Sequence, residues 1–201
     1  VIVPITKLLP VFRFIYETKE YQGYVNFEFW FRQKVLNIGG NRKAYWPVHS
    51  TSKVYDPEKI RIGVDAYPGI MGGCYITGRG GLAIGDYTQI GPNVVIVTAN
   101  HDIYDLRKHF EAPVKIGRYC WLGAGSKIMP GVELGDFTVV AAGAVVTRSF
   151  PEGFCVLAGV PAKSVKQIDP QKCVWYEVEK RYLGYIDERK FPAYCKRNLK
   201  S

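Results

Sequence analysis

The aliphatic positions of the chain return every sixth residue. They stand at Ile84, Ile90 and Ile96, and after an interruption at Ile116, Leu122, Ile128, Leu134, Val140 and Val146. A repeat of this period predicts an all-β fold, a parallel β-helix, because each unit cannot bury its apolar face alone and must stack on neighbours. Three hexads complete one triangular coil. IGDYTQ, IGPNVV and IVTANH give the first clean coil, and IGRYCW through VTRSFP give two more. Glycine, Asn and Asp after the aliphatic residues supply the positive-φ corners. Imperfect coils begin at Ile60, and the phase fades after Pro151 into a partial coil and an exit strand.

The flanks have a different texture. Residues 1–24 read as an extended arm rich in proline and aromatics. From Val25 to Ile38 the apolar spacing becomes helical and closes at Gly39-Gly40, which predicts an amphipathic helix of about three turns. Its first role is to cap the open end of the solenoid; a membrane-surface or partner helix is the alternative. Residues 41–59 form an irregular lead-in. Val174, Trp175, Val178, Tyr182 and Ile186 predict a second amphipathic helix over 172–189, ending near Pro192. The expected division is thus 1–59 arm and capping helix, 60–168 β-helix, and 169–201 C-terminal helix with a basic tail.

Charge sharpens this division. Of the net +9, residues 1–50 contribute +4 and residues 160–201 contribute +5, while residues 51–159 balance ten cations against ten anions. Basic ends favour anionic partners. Nucleic acid is disfavoured, because the excess is dispersed and no recognition motif accompanies it. Five scattered cysteines without a C-x-x-C pair argue against a disulfide framework and for a reducing compartment. No apolar run spans a bilayer. The expected location is the cytoplasm, with peripheral contact to the inner membrane face or a capsule-assembly partner as an option.

The interruption, residues 102–115, follows Asn100-His101-Asp102. A solenoid tolerates an insertion only as a corner loop, and such loops often carry function. Proton removal from an attacking alcohol needs a base titrating near neutrality, and imidazole fits. His101 is therefore the candidate base, against the plainer reading of a surface histidine beside a loop. Either Asp102 or a backbone carbonyl would orient its ring. Trp121 ends the first hexad after the loop at an outward position. It either covers a substrate or packs against another subunit.

The segments IGDYTQIGPNVVIVTANHD, PVKIGRYCWLGAGSKIMPGVELGDFTVVAAGAVVT and AGVPAKSVKQI resemble the hexapeptide acyltransferases over about 85 of the 201 residues. The resemblance implies a left-handed β-helix, a homotrimer with the site between subunits, and acetyl-CoA as co-substrate. It places the catalytic histidine at His101 and an acetyl-proximal residue at Trp121. It also aligns Gly123, Ala124, Ala141, Ala142 and Thr147 with positions lining CoA. Arg148, Lys163 and Lys166 align with basic residues near its phosphates, although any one of these cations alone reads equally as a solvated surface charge. The lead-in RKAYWPVHSTSKV most resembles the capsular-polysaccharide and sialic-acid-polymer O-acetyltransferases.

The expected function is transfer of an acetyl group to a sugar hydroxyl, on an anionic capsular polymer such as polysialic acid. N-acetylation of a nucleotide-linked amino sugar is the alternative. Tyr45, Trp46, His49 and the loop residue His109 are candidates for binding the acceptor; packing under the cap is the other reading of His49. The oxyanion is expected to meet a backbone N–H near Gly123 or Gly125. Zinc chemistry on this kind of scaffold needs three histidines at one site, and the chain has only His49, His101 and His109. No metal is expected.

Overall fold

The computed structural model describes residues 12–200. Part of the expected arm, residues 1–11, lies outside the described residues. The hexad aliphatics organise everything else. Between residues 53 and 158 the chain winds through three parallel sheets in fixed rotation. The first sheet stacks Lys53–Tyr55, Tyr75–Thr77, Val95–Ile96, Lys127–Ile128 and Val145–Val146. The second stacks Ile60–Ile62, Leu82–Ile84, Val114–Ile116 and Glu133–Leu134. The third stacks Gln89–Ile90, Trp121–Leu122, Val139–Val140 and Cys155–Ala158.

Register sets one inward column per sheet. Ile76, Ile96, Ile128 and Val146 align in the first, Ile62, Ile84, Ile116 and Leu134 in the second, and Ile90, Leu122, Val140 and Leu157 in the third. All twelve are buried, so each rung adds apolar contact to the rung below. The coils begin earlier than residue 60, because Lys53–Tyr55 already pairs with Tyr75–Thr77.

One corner was not legible as such. Between the second and third sheets, Tyr87, Tyr119, Phe137 and Phe154 all take positive φ, 60°, 54°, 54° and 46°. Left-handed backbone is costly for aromatic residues. It is offset here by a continuous ring stack, with centroids 5.1, 4.9 and 5.4 Å apart along the column. Trp175 and Tyr176 lie against this stack, with Trp175 edge-on to Tyr119 and Phe137. The Arg118 guanidinium sits 4.9 Å from the Trp175 ring.

That strap explains why the expected helix over 172–189 is absent. Residues 173–179 run without helix, tied by hydrogen bonds from Tyr119 Oη to Tyr176 O and from Val178 N to Tyr87 Oη. Tyr182–Leu183 and Ile186–Asp187 then form a hairpin, and the α-helix that follows among the described residues is Phe191–Asn198. Pro192 stands in its first turn; it starts a helix rather than ending one. The preceding strand, Lys163–Gln167, pairs antiparallel with Cys155–Ala158 and closes the third sheet's upper edge.

At the other end the capping helix is shorter than expected, Phe27–Lys34, with Asn26 accepting from Phe29 N as its N-cap. Its buried Gln33 docks it: Nε2 donates to Asn41 O and Trp46 O, while Oε1 accepts from Val48 N and Tyr185 Oη. A five-residue helix, Arg13–Glu17, precedes it. Among the described residues no helix is long and apolar enough to cross a membrane.

Candidate functional site

The interruption is more ordered than a loop. Leaving the first sheet, Ala99–His101 pairs antiparallel with His109–Glu111, placing His101 directly opposite His109. Thr98 roots this hairpin: its Oγ1 donates to Thr77 O and accepts from Gly80 N. The turn is closed by Asp102, whose Oδ1 accepts from Tyr104 N and Asp105 N.

His101 is exposed, and its Nδ1 lies 2.6 Å from Leu106 O. A carbonyl only accepts, so Nδ1 carries the proton and the lone pair of Nε2 remains available. The loop's own backbone orients the ring; Asp102 is spent on the turn. The His109 ring stands 4.2 Å from that of His101. Partial desolvation, then the neighbouring His101 and Arg79, hold the His109 pKa below the ordinary imidazole value.

Trp121 projects outward from the third sheet between Gln89 and Val139, 57% exposed. Among the described residues no ring contact or hydrogen bond joins it to His101, which stands at the corner between the first and second sheets. One chain therefore does not bring the two together.

The Gly/Ala positions do converge. Gly123-Ala124 and Ala141-Ala142 occupy successive turns of the corner between the third and first sheets, stacked closely enough that a Cβ on Gly123 would meet Ala142 N at 2.7 Å. Gly123 N donates to Val140 O and Gly125 N to Pro92 O, so both N–H groups expected to serve an oxyanion are committed to the coil. The amides of Ala124 and Ala142 donate no hydrogen bond among the described residues, and each nitrogen stands close over the glycine of the neighbouring turn, Gly91 and Gly123. Thr147 and Arg148 lie on a different corner, the one that carries His101 further down the stack, where Arg148 packs over Phe150 at 5.2 Å. Lys163 and Lys166 are exposed on the closing antiparallel strand.

The proposed acceptor residues divide. Tyr45 and Trp46 are buried, 3% and 0% exposed, and their polar atoms are used internally: Trp46 Nε1 donates to Pro68 O, and Tyr45 Oη bridges Ile60 O and Ile62 N. They build the core under the cap and offer no surface to an acceptor. His49 lines a cleft of about 270 Å³ beside Glu28 and Arg32 on the capping helix, with its Nδ1 accepting from Thr51 N. His109 stays at the hairpin.

Of the five cysteines, Cys173 and Cys195 are partly exposed. Cys74, Cys120 and Cys155 are buried, and burial pushes the Cys120 thiol up to about 11. Among the described residues no group of three or more His, Cys, Asp or Glu could hold a metal ion.

Comparison with known proteins bears on the repeat. Residues 113–148 match the family described as bacterial transferase hexapeptide (six repeats). A solved galactoside acetyltransferase in complex with coenzyme A is 30% identical, covers 70% of each chain and superposes with a TM-score of 0.56. The chain belongs to the hexapeptide-repeat acyltransferases. Among curated members of this family, galactoside O-acetyltransferase of Escherichia coli is 36% identical over 99 residues, 47% of this chain and 48% of that protein. Nodulation protein L of Rhizobium meliloti is 44% identical over 108 residues, 52% and 57% of the two chains. The chain thus spans about half the length of the curated relatives it matches. The resemblance is to hexapeptide acyltransferases as a group and singles out no capsular branch.

Proposed function

We propose that the protein is an acetyl-CoA-dependent O-acetyltransferase acting on a sugar hydroxyl, with His101 as general base. The observation that carries this reading is the Nδ1 contact to Leu106 O, which makes Nε2 the acceptor of the neutral ring on an exposed, anchored corner. Nε2 takes the hydroxyl proton as the oxygen attacks the thioester carbonyl. The C–S bond then breaks, and the imidazolium returns its proton to the departing thiolate. A direct ternary complex fits the burial of Cys74, Cys120 and Cys155, which keeps these thiols from a substrate.

Acetyl-CoA is the co-substrate, laid along the stacked corner of Gly123, Ala124, Ala141 and Ala142, whose small side chains leave room for the narrow pantetheine arm. Thr147, Arg148, Lys163 and Lys166 are the candidate contacts for the rest of the molecule. The coil is left-handed and triangular, closed by its terminal helices, and the active assembly is a homotrimer. In it Trp121 of one subunit faces His101 of the next, which accounts for both an exposed indole and its separation from the base within one chain. The acceptor is an anionic polysaccharide such as a capsular sialic-acid polymer, and the protein works in the cytoplasm. The similarity to galactoside O-acetyltransferases supports a sugar acceptor.

Acetyl-CoA turnover measured against neutral galactosides, sialic-acid polymers and nucleotide-linked amino sugars, with product NMR, tests this reading. Acetyl esters on sugar carbons support it. Amide products alone would replace it with N-acetylation.

A further inference from the structure

The outward column of the second sheet reads Arg61, Ala83, Lys115 and Glu133 on successive rungs. Rungs are about 4.8 Å apart, so the small Ala83 leaves a gap one side chain wide between two cations whose backbones stand about 10 Å apart. A groove of about 390 Å³ opens there, with Lys59, Arg79 and Lys200 on its walls and Pro113 in its floor. The flat charge balance of residues 51–159 hides this cluster, because Lys200 joins it from outside that segment and Arg61 has no acid beside it.

The local ion pairs do not exhaust these cations. Glu111 pairs with Arg79 at 3.0 Å and Lys59 at 3.8 Å, Glu133 with Lys115 at 3.7 Å, and Glu58 with Lys200 at 3.2 Å. Five cations thus face three carboxylates, and Arg61 has no ion-pair partner among the described residues. These pairs are solvent-exposed and individually weak, so an incoming anion competes with them readily. The groove also borders the hairpin that carries the candidate base. Glu111 on its wall lies two residues from His109 on the same strand, roughly 7 Å away, and the His109 ring rests against His101.

We propose that this groove binds a carboxylate-bearing sugar unit of the acceptor, with Arg61 and Lys115 clamping the carboxylate across Ala83 and a neighbouring unit presented to His101. The inference rests on the O-acetyltransferase reading and names its substrate subsite. A carboxylate fits because a guanidinium receives it bidentately, and Ala83 and Pro113 give an apolar floor for a ring face.

The test uses the whole protein and three probes: a sialic-acid oligomer, the same oligomer with its carboxylates methyl-esterified, and a neutral galactoside. Calorimetric affinity for the charged oligomer should fall about tenfold when Arg61→Gln and Lys115→Gln are combined, as expected for two exposed charge contacts. It should fall similarly for Ala83→Glu, which fills and recharges the gap. The esterified oligomer should bind wild type no better than it binds the Arg61→Gln/Lys115→Gln variant, and the affinity of the neutral galactoside should not distinguish these two proteins. All three positions are exposed, so folding is preserved. Equal affinity of wild type and variants for the charged oligomer would overturn the inference, as would equal loss with the esterified one. If wild type acetylates no sugar at all, the activity reading fails, while the binding measurement still judges the groove.

Discussion

Tyr119 and Phe137 stack face to face at a corner where both backbones are left-handed, their ring centroids 4.9 Å apart and their planes 5° from parallel. Neither residue would take that conformation for its own sake. The stack runs from Tyr87 to Phe154, and the strand-like tail crosses it at Trp175 and Tyr176. Residues 173–179 are therefore fastened to the coil by ring contact, while the C-terminal helix packs Phe191 and Tyr194 on Tyr45.

Trp175→Ala should consequently destabilise the fold by about 2 kcal/mol, less than a fully buried tryptophan because the ring is half exposed. Urea unfolding measures this. A change below about 0.5 kcal/mol, the range of an ordinary surface substitution, would show that the strap is loosely held.

Ser126 makes the opposite case. Its hydroxyl is the one buried side-chain polar atom without a hydrogen-bond partner among the described residues. The equivalent positions on neighbouring coils are Val94 and Ala144. Ser126→Ala should stabilise the protein by about 1 kcal/mol, the cost of an unpaired buried hydroxyl. A lower melting temperature would mean that the oxygen has a partner.

Asp65 should tilt stability against rising pH. It is 3% exposed, and burial pushes its carboxyl from 3.8 up to about 6, against the weaker opposing pull of the Gln22 and Gly23 N–H groups. The folded value lies above the unfolded one, so this contribution is complete below about pH 4 and is lost as pH rises through 6. The loss amounts to at most about 3 kcal/mol. Asp65→Asn should flatten the stability profile between pH 4 and 7. Parallel profiles for the two proteins would place the carboxyl in water.

A site shared between subunits predicts complementation. His101→Ala and Trp121→Ala should each be slow alone, and a mixture unfolded and refolded together should regain activity, because some interfaces then hold both native residues. No recovery would place base and tryptophan in separate sites.

The hexad was readable because its period follows from burial: one inward aliphatic per rung, with every column filled. His101 was readable because the repeat breaks beside it. The hairpin that presents it was not, since Ala99–His101 and His109–Glu111 are short, exposed strands without an alternating pattern. The C-terminal segment misled for a related reason. Val174, Val178 and Tyr182 carry a helical spacing, but Trp175 and Tyr176 find a ready aromatic column, and Gly184 turns at φ 62° where a Cβ would strike Tyr45 O at 2.3 Å. Tyr45 and Trp46 looked like acceptor residues because aromatics beside a histidine suit sugars; the same aromatics suit a core. The groove at Ala83 was invisible because Arg61 and Lys115 are 54 positions apart in sequence and only two rungs apart in the sheet.

The most direct measurement is the steady-state turnover of acetyl-CoA with a sugar acceptor by His101→Ala beside wild type, at matched oligomeric state. The account predicts that kcat falls by about 10²-fold or more, the usual worth of a general base, with coenzyme A still bound. Turnover within a few-fold of wild type would contradict it.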